Sequence, residues 1–318
     1  MSLLIYNTLG KTGLKVSKIA FGALTIGPLQ RNLTPNQGGK VISYALERGI
    51  NFIDTADLYQ TYPHIQRAIC NYSGEVIIAT KSYDYNEEGA RKSLYKALRA
   101  LKRDTIDLFL LHEQESIHTL RGHWKAIEFL LREKEKGTIR GIGLSTHRIE
   151  GVLGACQCNE IDVIHPIINI QGLGIEDGTR DEMVSAIHDA YTMGKGIYAM
   201  KIFGGGNLIH RTQECFNFIK GLDCIHAMAV GMQTEAEVDY NIHQVLGENI
   251  PDHIMRQIHR QKRKLIIEHW CIGCGECVKN CHQKALYIQN DRAKVNKDKC
   301  LLCGYCGAHC PQFCIKIV

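Results

Sequence analysis

Cysteine placement constrains this chain more than any other feature of its sequence. Nine of the 14 cysteines lie between Cys271 and Cys314, and most of them form two runs with the same spacing, Cys-x2-Cys-x2-Cys-x3-Cys, over residues 271–281 and 300–310. A disulfide scaffold is short, secreted and rich in cysteine throughout, so this clustering argues against one. It indicates a reducing compartment and a cysteine-ligated inorganic centre at one end of the chain.

The two runs predict two [4Fe-4S] clusters, because the spacing is that of bacterial ferredoxins, in which the fourth cysteine of each run ligates the other cluster. The expected ligands are Cys271, Cys274, Cys277 and Cys310 for one cluster, and Cys300, Cys303, Cys306 and Cys281 for the other. Zinc, which Cys-x2-Cys pairs also suit, is disfavoured by the two matching runs. His282 follows Cys281 where Pro311 follows Cys310, so we expect the two loops to differ. Cys314 is expected to be a core thiol.

Upstream of the cysteines, short apolar segments alternate with amphipathic ones between residues 19 and 230. The apolar segments begin at Ile19, Phe52, Val76, Leu108, Ile142, Val163, Ile197 and Ile225. This alternation predicts parallel strands with right-handed crossovers, and eight units in about 250 residues is the size of a (β/α)8 barrel. A doubly wound open sheet is the alternative, but residues 22–27 do not match the G-x-G-x-x-G fingerprint that would follow its first strand.

The predicted fold class is therefore α/β: a (β/α)8 TIM barrel with a small C-terminal α+β ferredoxin-like iron-sulfur domain. We place the barrel over residues 1–249, a helical connector over 250–264 and the iron-sulfur domain over 265–318. A hairpin around residues 10–13 is expected to close the bottom of the barrel, and residues 284–288 and 293–295 suit a second hairpin.

Composition and charge argue against a membrane span and against a nucleic-acid partner. No apolar run approaches the roughly 20 residues of a membrane span, and the first 25 residues lack the pattern of a signal peptide, so a cytoplasmic protein is expected. The formal net charge is +5, but two clusters with about −2 each would bring it close to neutral. The basic stretch over residues 256–264 is typical of a solvated helix face. We therefore expect no nucleic-acid partner.

Polar side chains follow three successive apolar segments of the predicted barrel. Asp54 and Tyr59 follow the second segment, Lys81 ends the third and His112 ends the fourth. Because the active sites of such barrels lie at the carboxyl ends of the strands, we expect these four side chains to converge. The chain resembles the aldo-keto reductase family over about residues 5–248, and within it the subset with a C-terminal ferredoxin domain. The matching elements are Asp54-x4-Tyr59, Thr80-Lys81, Leu111-His112, Gly141 to Ser145, Gly231-Met-Gln, Glu235 and Asn241.

The resemblance implies roles for the four residues. Tyr59 would donate a proton to the carbonyl oxygen of a small substrate, and Lys81 would lower the pKa of the Tyr59 phenol. Asp54 would hold Lys81 and balance its charge. His112 would orient the carbonyl and stabilise developing negative charge on its oxygen.

The resemblance also implies a nicotinamide site, NADH or NADPH, on the later strands and loops. Its residues would be Ser145, His165, Asn169, Met200, Lys201, Gly204, Gly205, Gly206, Gly231, Met232, Gln233 and Asn241. Three features depart from the family pattern. Thr146 follows Ser145 where Asn is usual, and Met200-Lys201 replaces a stacking aromatic residue. The stretch after Gly231 also lacks the basic residues that often bind a 2′-phosphate.

Three functions are compatible with a barrel of this kind joined to an iron-sulfur domain. In the first, the ferredoxin domain relays electrons between an external ferredoxin or other carrier and the barrel, directly or through flavin, to reduce or oxidise a carbonyl or alcohol substrate. In the second, the chain is an ordinary NAD(P)H-dependent carbonyl reductase whose clusters are structural or sense oxygen. In the third, it is a non-catalytic electron-transfer partner. We favour the first function, because iron-sulfur clusters would be a fragile means of stabilising the tail.

Overall fold

The computed structural model of the chain describes residues 4–261 and 263–318. Residues 1–3 of the predicted barrel domain and residue 262 of the predicted connector lie outside the described residues. Within the described ranges, no helix is both long enough and apolar enough to cross a membrane.

A short antiparallel hairpin opens the chain and closes one end of the barrel. Its strands are β1 (Tyr6–Thr8) and β2 (Lys15–Ser17). Leu9, Leu14 and Val16 are fully buried against side chains that point into the barrel. The amide of Lys11 donates to the carbonyl oxygen of Gly194, which lies just before a barrel strand begins. The hairpin therefore plugs the amino-terminal end of the barrel, as predicted.

Parallel strands then close into a barrel in chain order, and the last of them pairs with the first. They are β3 (Ile19–Gly22), β4 (Phe52–Asp54), β5 (Ile77–Ser82), β6 (Ile106–Leu111), β7 (Ile139–Thr146), β8 (Val163–Pro166), β9 (Gly196–Ala199) and β10 (Ala227–Gly231). Each overlaps one of the predicted apolar segments, and the predicted (β/α)8 barrel is confirmed.

Helices connect the strands and cover the outside of the barrel. They are α1 (Pro35–Glu47), α2 (Tyr62–Ile69), α3 (Glu87–Leu101), α4 (Ile117–Gly122), α5 (Trp124–Glu135), α6 (Ile149–Cys156), α7 (Arg180–Thr192), α8 (Thr212–Lys220), α9 (Glu235–Leu246) and α10 (Asp252–His259). Short 3-10 turns lie at Gly10–Thr12, Ala23–Ile26, Asp57–Tyr59 and Ile209–Arg211. The side chains of Thr34, Asn86 and Thr179 accept hydrogen bonds from the first turns of α1, α3 and α7, which fixes where these helices begin.

The C-terminal tail, residues 263–318, forms a small α+β unit. Its elements are β11 (Leu265–Ile267), α11 (Glu276–Lys279), β12 (Leu286–Gln289), β13 (Arg292–Val295), α12 (Tyr305–Ala308) and β14 (Ile315–Ile317). β12 and β13 form the predicted second hairpin, and β11 pairs antiparallel with β14. Each short helix carries the third cysteine of one run. The apolar core of the tail consists of few side chains and includes buried Cys277, Cys306 and Cys314.

The tail packs against the carboxyl-terminal rim of the barrel through β14. The Ile317 amide donates to the Gly205 carbonyl oxygen at 3.1 Å, and the Asn207 side chain donates to the Ile315 carbonyl oxygen at 2.9 Å. A Cβ atom on Gly206 would lie 1.9 Å from the carbonyl oxygen of Ile317, so only glycine admits this approach. The loop after β9 is therefore the docking surface of the last strand.

We expect Gly206→Ala to loosen the tail from the barrel. Gly206 has a φ of +87°, and Gly13, with a φ of +72° and open space within 4 Å of where a Cβ atom would lie, provides a matched control. Both substitutions place an alanine in left-handed backbone, but only the one at position 206 also clashes, which should destabilise docking by about 1–3 kcal/mol more. Amide hydrogen exchange of residues 315–317 in the loaded protein measures this. Equal protection in Gly206→Ala and Gly13→Ala would contradict the docking account.

Candidate active site

The four predicted catalytic side chains meet at the carboxyl-terminal end of the barrel. Asp54 is the last residue of β4, Lys81 lies near the end of β5 and His112 directly follows β6. Tyr59 ends the 3-10 turn after β4. The sequence therefore placed these side chains on the correct edge of the barrel.

Asp54 and Lys81 form a buried ion pair. The Lys81 ammonium lies 2.5 Å from Asp54 Oδ1 and also donates to the Thr55 carbonyl oxygen at 2.8 Å. Lys81 is 1% exposed and Asp54 5% exposed. Burial lowers the pKa of Lys81, and the negative charge of Asp54 opposes that shift. The pair thus forms a fixed floor of the site that carries almost no net charge.

Two further residues complete the surroundings of Asp54. The Tyr198 hydroxyl donates to Asp54 Oδ1 at 3.1 Å, and His165 stacks on the Tyr198 ring with 3.8 Å between centroids. Burial lowers the pKa of His165 to about 3, so its imidazole is neutral, and Nδ1 donates to the Tyr198 carbonyl oxygen at 2.6 Å. Sequence reasoning missed Tyr198. Its signal is a tyrosine inside a strand that is otherwise apolar, because a buried phenol needs a hydrogen-bond partner.

Tyr59 packs between the ion pair and His112. The Lys81 ammonium lies 5.2 Å from the centre of the Tyr59 ring, and the ring meets His112 edge-on at 5.8 Å. Burial, and then the charge of Asp54, raise the pKa of Tyr59 well above 10. The expected lowering of this pKa by Lys81 is wrong, because burial of the phenol outweighs the lysine charge. Tyr59 therefore remains a neutral phenol, which can donate a proton.

His112 is held as a neutral imidazole. Burial, and then the positive charge of Lys81, lower its pKa well below 6.5. Tyr83 stacks on the imidazole at 4.4 Å, and its own hydroxyl donates to Glu113 Oε2 at 2.6 Å. His112 Nδ1 is buried and has no hydrogen-bond partner within the described part of the chain. Sequence reasoning did not identify Tyr83.

We expect Lys81→Met to destabilise the barrel strongly, because it leaves the Asp54 carboxylate buried and unpaired. Breaking a buried ion pair costs about 3–5 kcal/mol, whereas breaking an exposed one costs about 0–1 kcal/mol. Lys96→Met is the matched control, because Lys96 pairs with Asp57 at 2.6 Å and is 53% exposed. Thermal unfolding followed by circular dichroism measures both. The double variant Asp54→Asn/Lys81→Met should recover part of the loss, and equal effects of the two single variants would refute the account.

A large cavity opens above these side chains. Its volume is about 1300 Å³, larger than the roughly 300–1,000 Å³ of most small-molecule sites. On the barrel side it is lined by Asp54, Tyr59, Tyr83 and His112, among others. On the tail side it is lined by Glu268, Trp270, Gln312, Phe313 and Lys316, among others. The two parts of the chain therefore share one cavity.

The residues predicted to bind nicotinamide divide into two groups. Those that line the cavity are His165, Met200, Lys201, Gly205, Gly206, Gly231, Gln233 and Asn241. Ser145, Asn169, Gly204 and Met232 are not among its lining residues. The Ser145 hydroxyl accepts from the Glu113 amide at 2.9 Å, and the Asn169 amide group donates to the Leu173 carbonyl oxygen at 2.9 Å. Both side chains thus tie loops of the rim together.

The backbone amides expected to meet a pyrophosphate already bond within the protein. Gly204 donates to the Lys201 carbonyl oxygen at 2.7 Å and Gly206 donates to that of Phe203 at 3.0 Å. After β10, the Gln233 amide donates at 2.6 Å to the Glu237 carboxylate, which also pairs with Arg263 of the tail. These three amides are not free to bind a pyrophosphate in this arrangement. The nicotinamide assignment stays a prediction, and these contacts count against it.

The cysteine side chains group as the crossed pattern requires. Burial and then Cys310, Cys271 and Cys274 raise the pKa of the Cys277 thiol to about 11. Burial raises the pKa of Cys306 to about 12, and the neighbouring thiols that add to this shift are Cys303, Cys277, Cys300 and Cys281. Cys310 thus lies near Cys277 and Cys281 near Cys306, as the crossed pattern expects, and the assignment of ligands to each cluster stays a prediction.

The surroundings of the sulfur atoms suit iron-sulfur clusters. Backbone amides donate to Sγ of Cys281 at 3.3 Å, of Cys310 at 3.4 Å and of Cys271 at 3.5 Å, which favours thiolates. A zinc site needs its ligands within about 2.3 Å of one ion. In the described ranges, no three His, Cys, Asp or Glu side chains converge in this way. The buried Cys314 Sγ lies 3.4 Å from Cys310 Sγ, inside the small core of the tail.

Comparisons with known proteins give separate matches for the barrel and for the tail. The sequence model of the Aldo/keto reductase family matches residues 18–236, and that of a 4Fe-4S dicluster domain matches residues 263–311. An oxidoreductase of Bacillus subtilis, YqkF, is 31% identical over 155 residues, which cover 44% of this chain and 48% of that protein. One component of an ion-translocating oxidoreductase complex of Methanosarcina acetivorans is 34% identical over 67 residues, covering 20% of this chain and 25% of that protein.

Solved structures show the same barrel. The holo form of an aldo-keto reductase from Bacillus halodurans superimposes with a TM-score of 0.65 at 20% identity, covering 81% of this chain and 96% of that one. A likeness at this level of identity shows the fold. The chain spans about half the length, or less, of the first curated relatives it matches.

Proposed function

This chain belongs to the aldo/keto reductase family and carries a 4Fe-4S domain, and we propose that it reduces or oxidises a small carbonyl or alcohol substrate in the rim cavity with electrons that enter through the tail. One observation carries the proposal. A single cavity of about 1300 Å³ is lined by Tyr59 and His112 of the barrel and by Trp270 and Phe313 of the tail. The two parts of the chain thus enclose one common space for a substrate.

The tail residues at the cavity lie next to the cysteines in sequence. Trp270 immediately precedes Cys271, and Phe313 follows Cys310 by three residues, with its amide bonded to the Cys310 carbonyl oxygen at 3.0 Å. The Phe313 ring fills the space that a Cβ on Gly174 of the barrel would take. The wall of the cavity on this side therefore consists of the immediate neighbours of the cysteine cluster ligands.

The bound clusters would supply single electrons at this wall. The ligands would be Cys271, Cys274, Cys277 and Cys310 for one cluster and Cys300, Cys303, Cys306 and Cys281 for the other, which gives two clusters. An external low-potential carrier such as a ferredoxin would be the electron source, and bound flavin is a further candidate within the cavity.

The barrel residues handle the protons and the carbonyl oxygen. Reduction of a carbonyl to an alcohol needs two electrons, which the two clusters would supply one each, and two protons, of which the oxygen receives one and the carbon receives the other from solvent. Tyr59, a neutral phenol, donates a proton to the oxygen, and the neutral imidazole of His112 donates a hydrogen bond to it as negative charge develops. The ion pair of Lys81 with Asp54, completed by Tyr198, holds Tyr59 in place and keeps the floor of the site close to neutral.

Anaerobic reduction of the loaded protein tests the electron source. We expect reduced ferredoxin to bleach the visible absorption of the clusters, whereas NADH and NADPH leave it unchanged. Three of the backbone amides predicted to bind a dinucleotide, those of Gly204, Gly206 and Gln233, are used within the protein, so we expect only weak binding of either nicotinamide by fluorescence titration. Carbonyl reduction driven by NADPH at full rate, with the clusters unreduced throughout, would overturn the proposal and identify an ordinary carbonyl reductase.

A further inference from the structure

Two lysines face each other where the barrel meets the tail. Lys201 lies two residues after β9, and Lys316 is the middle residue of β14. Both line the rim cavity. Lys316 is 8% exposed, so its charge is largely withdrawn from solvent. The sequence separates these residues by more than a hundred positions, and only docking of the tail brings them together.

Both ammonium groups lie against one aromatic ring. Lys316 Nζ is 3.1 Å from the centre of the Phe313 ring, and Lys201 Nζ is 5.5 Å from it. Lys316 also donates to the Phe313 carbonyl oxygen at 2.5 Å. Cation–π contact and one carbonyl oxygen stabilise an ammonium group, but neither supplies a negative charge.

The partner of Lys201 is an imidazole. Lys201 Nζ lies 2.6 Å from His147 Nε2, and His147 Nδ1 lies 3.6 Å from the Glu176 carboxylate. Burial, and then the charge of Lys201, lower the pKa of His147, so the imidazole accepts the hydrogen bond in its neutral form. His147 therefore positions Lys201 without balancing its charge.

Of the carboxylates that line the same cavity, Glu113, Glu176 and Glu268 act on the charge of Lys201, but none of them forms an ion pair with either lysine. Glu113 accepts a hydrogen bond from Tyr83, and Glu176 pairs with Arg148 at 2.9 Å. Glu268 forms no ion pair with Lys201 or Lys316, and within the described ranges neither lysine has any carboxylate partner. Burial lowers the pKa of Lys201 to about 8 and that of Lys316 well below 10.5, and the more distant charges of the carboxylates, such as Glu268, only partly oppose these shifts.

We propose that Lys201 and Lys316 form an anion subsite that binds the carboxylate or phosphate group of the carbonyl substrate. Buried cations without a counterion are costly, and an anionic ligand group would offset that cost. The positive charge of Lys201 is also among those that act on His112, so the subsite borders the residues that handle the carbonyl. The inference rests on the proposed function and names its substrate class: a small carbonyl compound that carries an acidic group.

Binding measurements on the loaded protein test the subsite without turnover. Isothermal titration calorimetry under anaerobic conditions compares glyceraldehyde 3-phosphate with glyceraldehyde, and pyruvate with acetone. We expect each anionic probe to bind about 10-fold to 100-fold more tightly than its neutral partner, since charge-assisted hydrogen bonds are worth that much. Lys201→Met and Lys316→Met should each remove most of the difference, and Lys201→Arg and Lys316→Arg should retain it. Lys297→Met, at an exposed lysine of the tail, is the control.

Several outcomes would overturn the subsite. They are equal affinity for anionic and neutral probes, an unchanged Kd in Lys201→Met, or an effect of Lys297→Met as large as that of Lys316→Met. If Lys316→Met shifts the reduction potential of the clusters but not the Kd of the anionic probes, Lys316 serves the clusters instead. If the lysine variants lose affinity only for added flavin mononucleotide, the subsite binds the phosphate group of a cofactor. The assignment of the substrate class is then wrong. Iron content and visible absorption confirm that each variant is folded and loaded.

The subsite and the proposed function fail in different ways. Anion preference that depends on the two lysines, in a protein whose reduced clusters never respond to a carbonyl, would keep the subsite and reject the electron route. Carbonyl-dependent oxidation of the clusters with no preference for anionic probes would do the reverse.

Discussion

Replacing Tyr59 by phenylalanine should slow carbonyl reduction by about 10²-fold to 10⁴-fold, the usual contribution of a positioned acid. The substitution removes only the hydroxyl and keeps the ring that packs edge-on against His112. Burial and the charge of Asp54 keep the phenol neutral, so it has a proton to give at neutral pH. Steady-state rates with reduced ferredoxin as electron source measure the effect, and binding of the carbonyl probes should stay within about twofold.

Tyr62→Phe is the matched control. Tyr62 is also a buried phenol, and its hydroxyl hydrogen-bonds to Thr80 at 2.7 Å, but it is not among the residues that line the cavity. This substitution should cost about 0.5–1.5 kcal/mol of stability and leave the rate unchanged. If Tyr59→Phe turns over as fast as Tyr62→Phe, Tyr59 is not the proton donor and the role inferred from the family resemblance is wrong.

Loss of a buried cluster ligand should abolish electron delivery to the cavity and unfold much of the tail. Cys277 and Cys306 lie in the core of the tail, which contains few other apolar side chains. Units of this size depend on a metal or a cluster for their stability, because their apolar core alone is too small. We expect Cys306→Ala to lose about half or more of the bound iron and to reduce no substrate with ferredoxin as donor.

Cys215→Ala separates this effect from simple loss of a buried thiol. Cys215 is fully buried in α8 of the barrel, outside both cysteine runs. Its replacement should retain all of the iron and most of the activity. Limited proteolysis should cleave the tail of Cys306→Ala and spare that of Cys215→Ala. Full ferredoxin-dependent activity in Cys306→Ala, with its iron lost, would show that electrons do not pass through the tail.

The barrel was predictable because its signals are local. Each strand is a short apolar run, and the alternation with amphipathic segments leaves few other folds. Asp54, Lys81 and His112 were predictable for the same reason, since each ends such a run. The two cysteine runs were likewise recognisable, because their spacing is that of bacterial ferredoxins, and the crossed grouping of ligands rests on that known pattern.

Residues that depend on contacts between distant segments were not predictable. Tyr198 lies on β9 and acts on Asp54 of β4, a contact that only closure of the barrel creates. Lys316 reaches the cavity only because β14 docks on the rim. The direction of the Tyr59 pKa was mistaken because its largest cause, burial of the phenol, depends on packing in the folded barrel.

The glycines after β9 show how one signal can have two physical causes. A run of glycines permits the close approach of a phosphate or of another backbone, and the sequence alone does not distinguish these. Here Gly205 and Gly206 meet Ile317 of the last strand. The same freedom of the backbone that suggested a pyrophosphate site is used to hold the tail over the cavity.

Single-turnover oxidation of the prereduced protein tests the central claim most directly. The loaded protein is reduced anaerobically, freed of reductant and mixed in a stopped-flow instrument with small aldehydes, ketones and oxo acids, while the visible absorption of the clusters is followed. We expect a carbonyl compound to restore the oxidised spectrum and to yield the alcohol, and we expect Tyr59→Phe to slow this recovery. A cluster spectrum that stays reduced with every carbonyl compound, in a protein that reduces the same compounds with NADPH, would contradict this expectation.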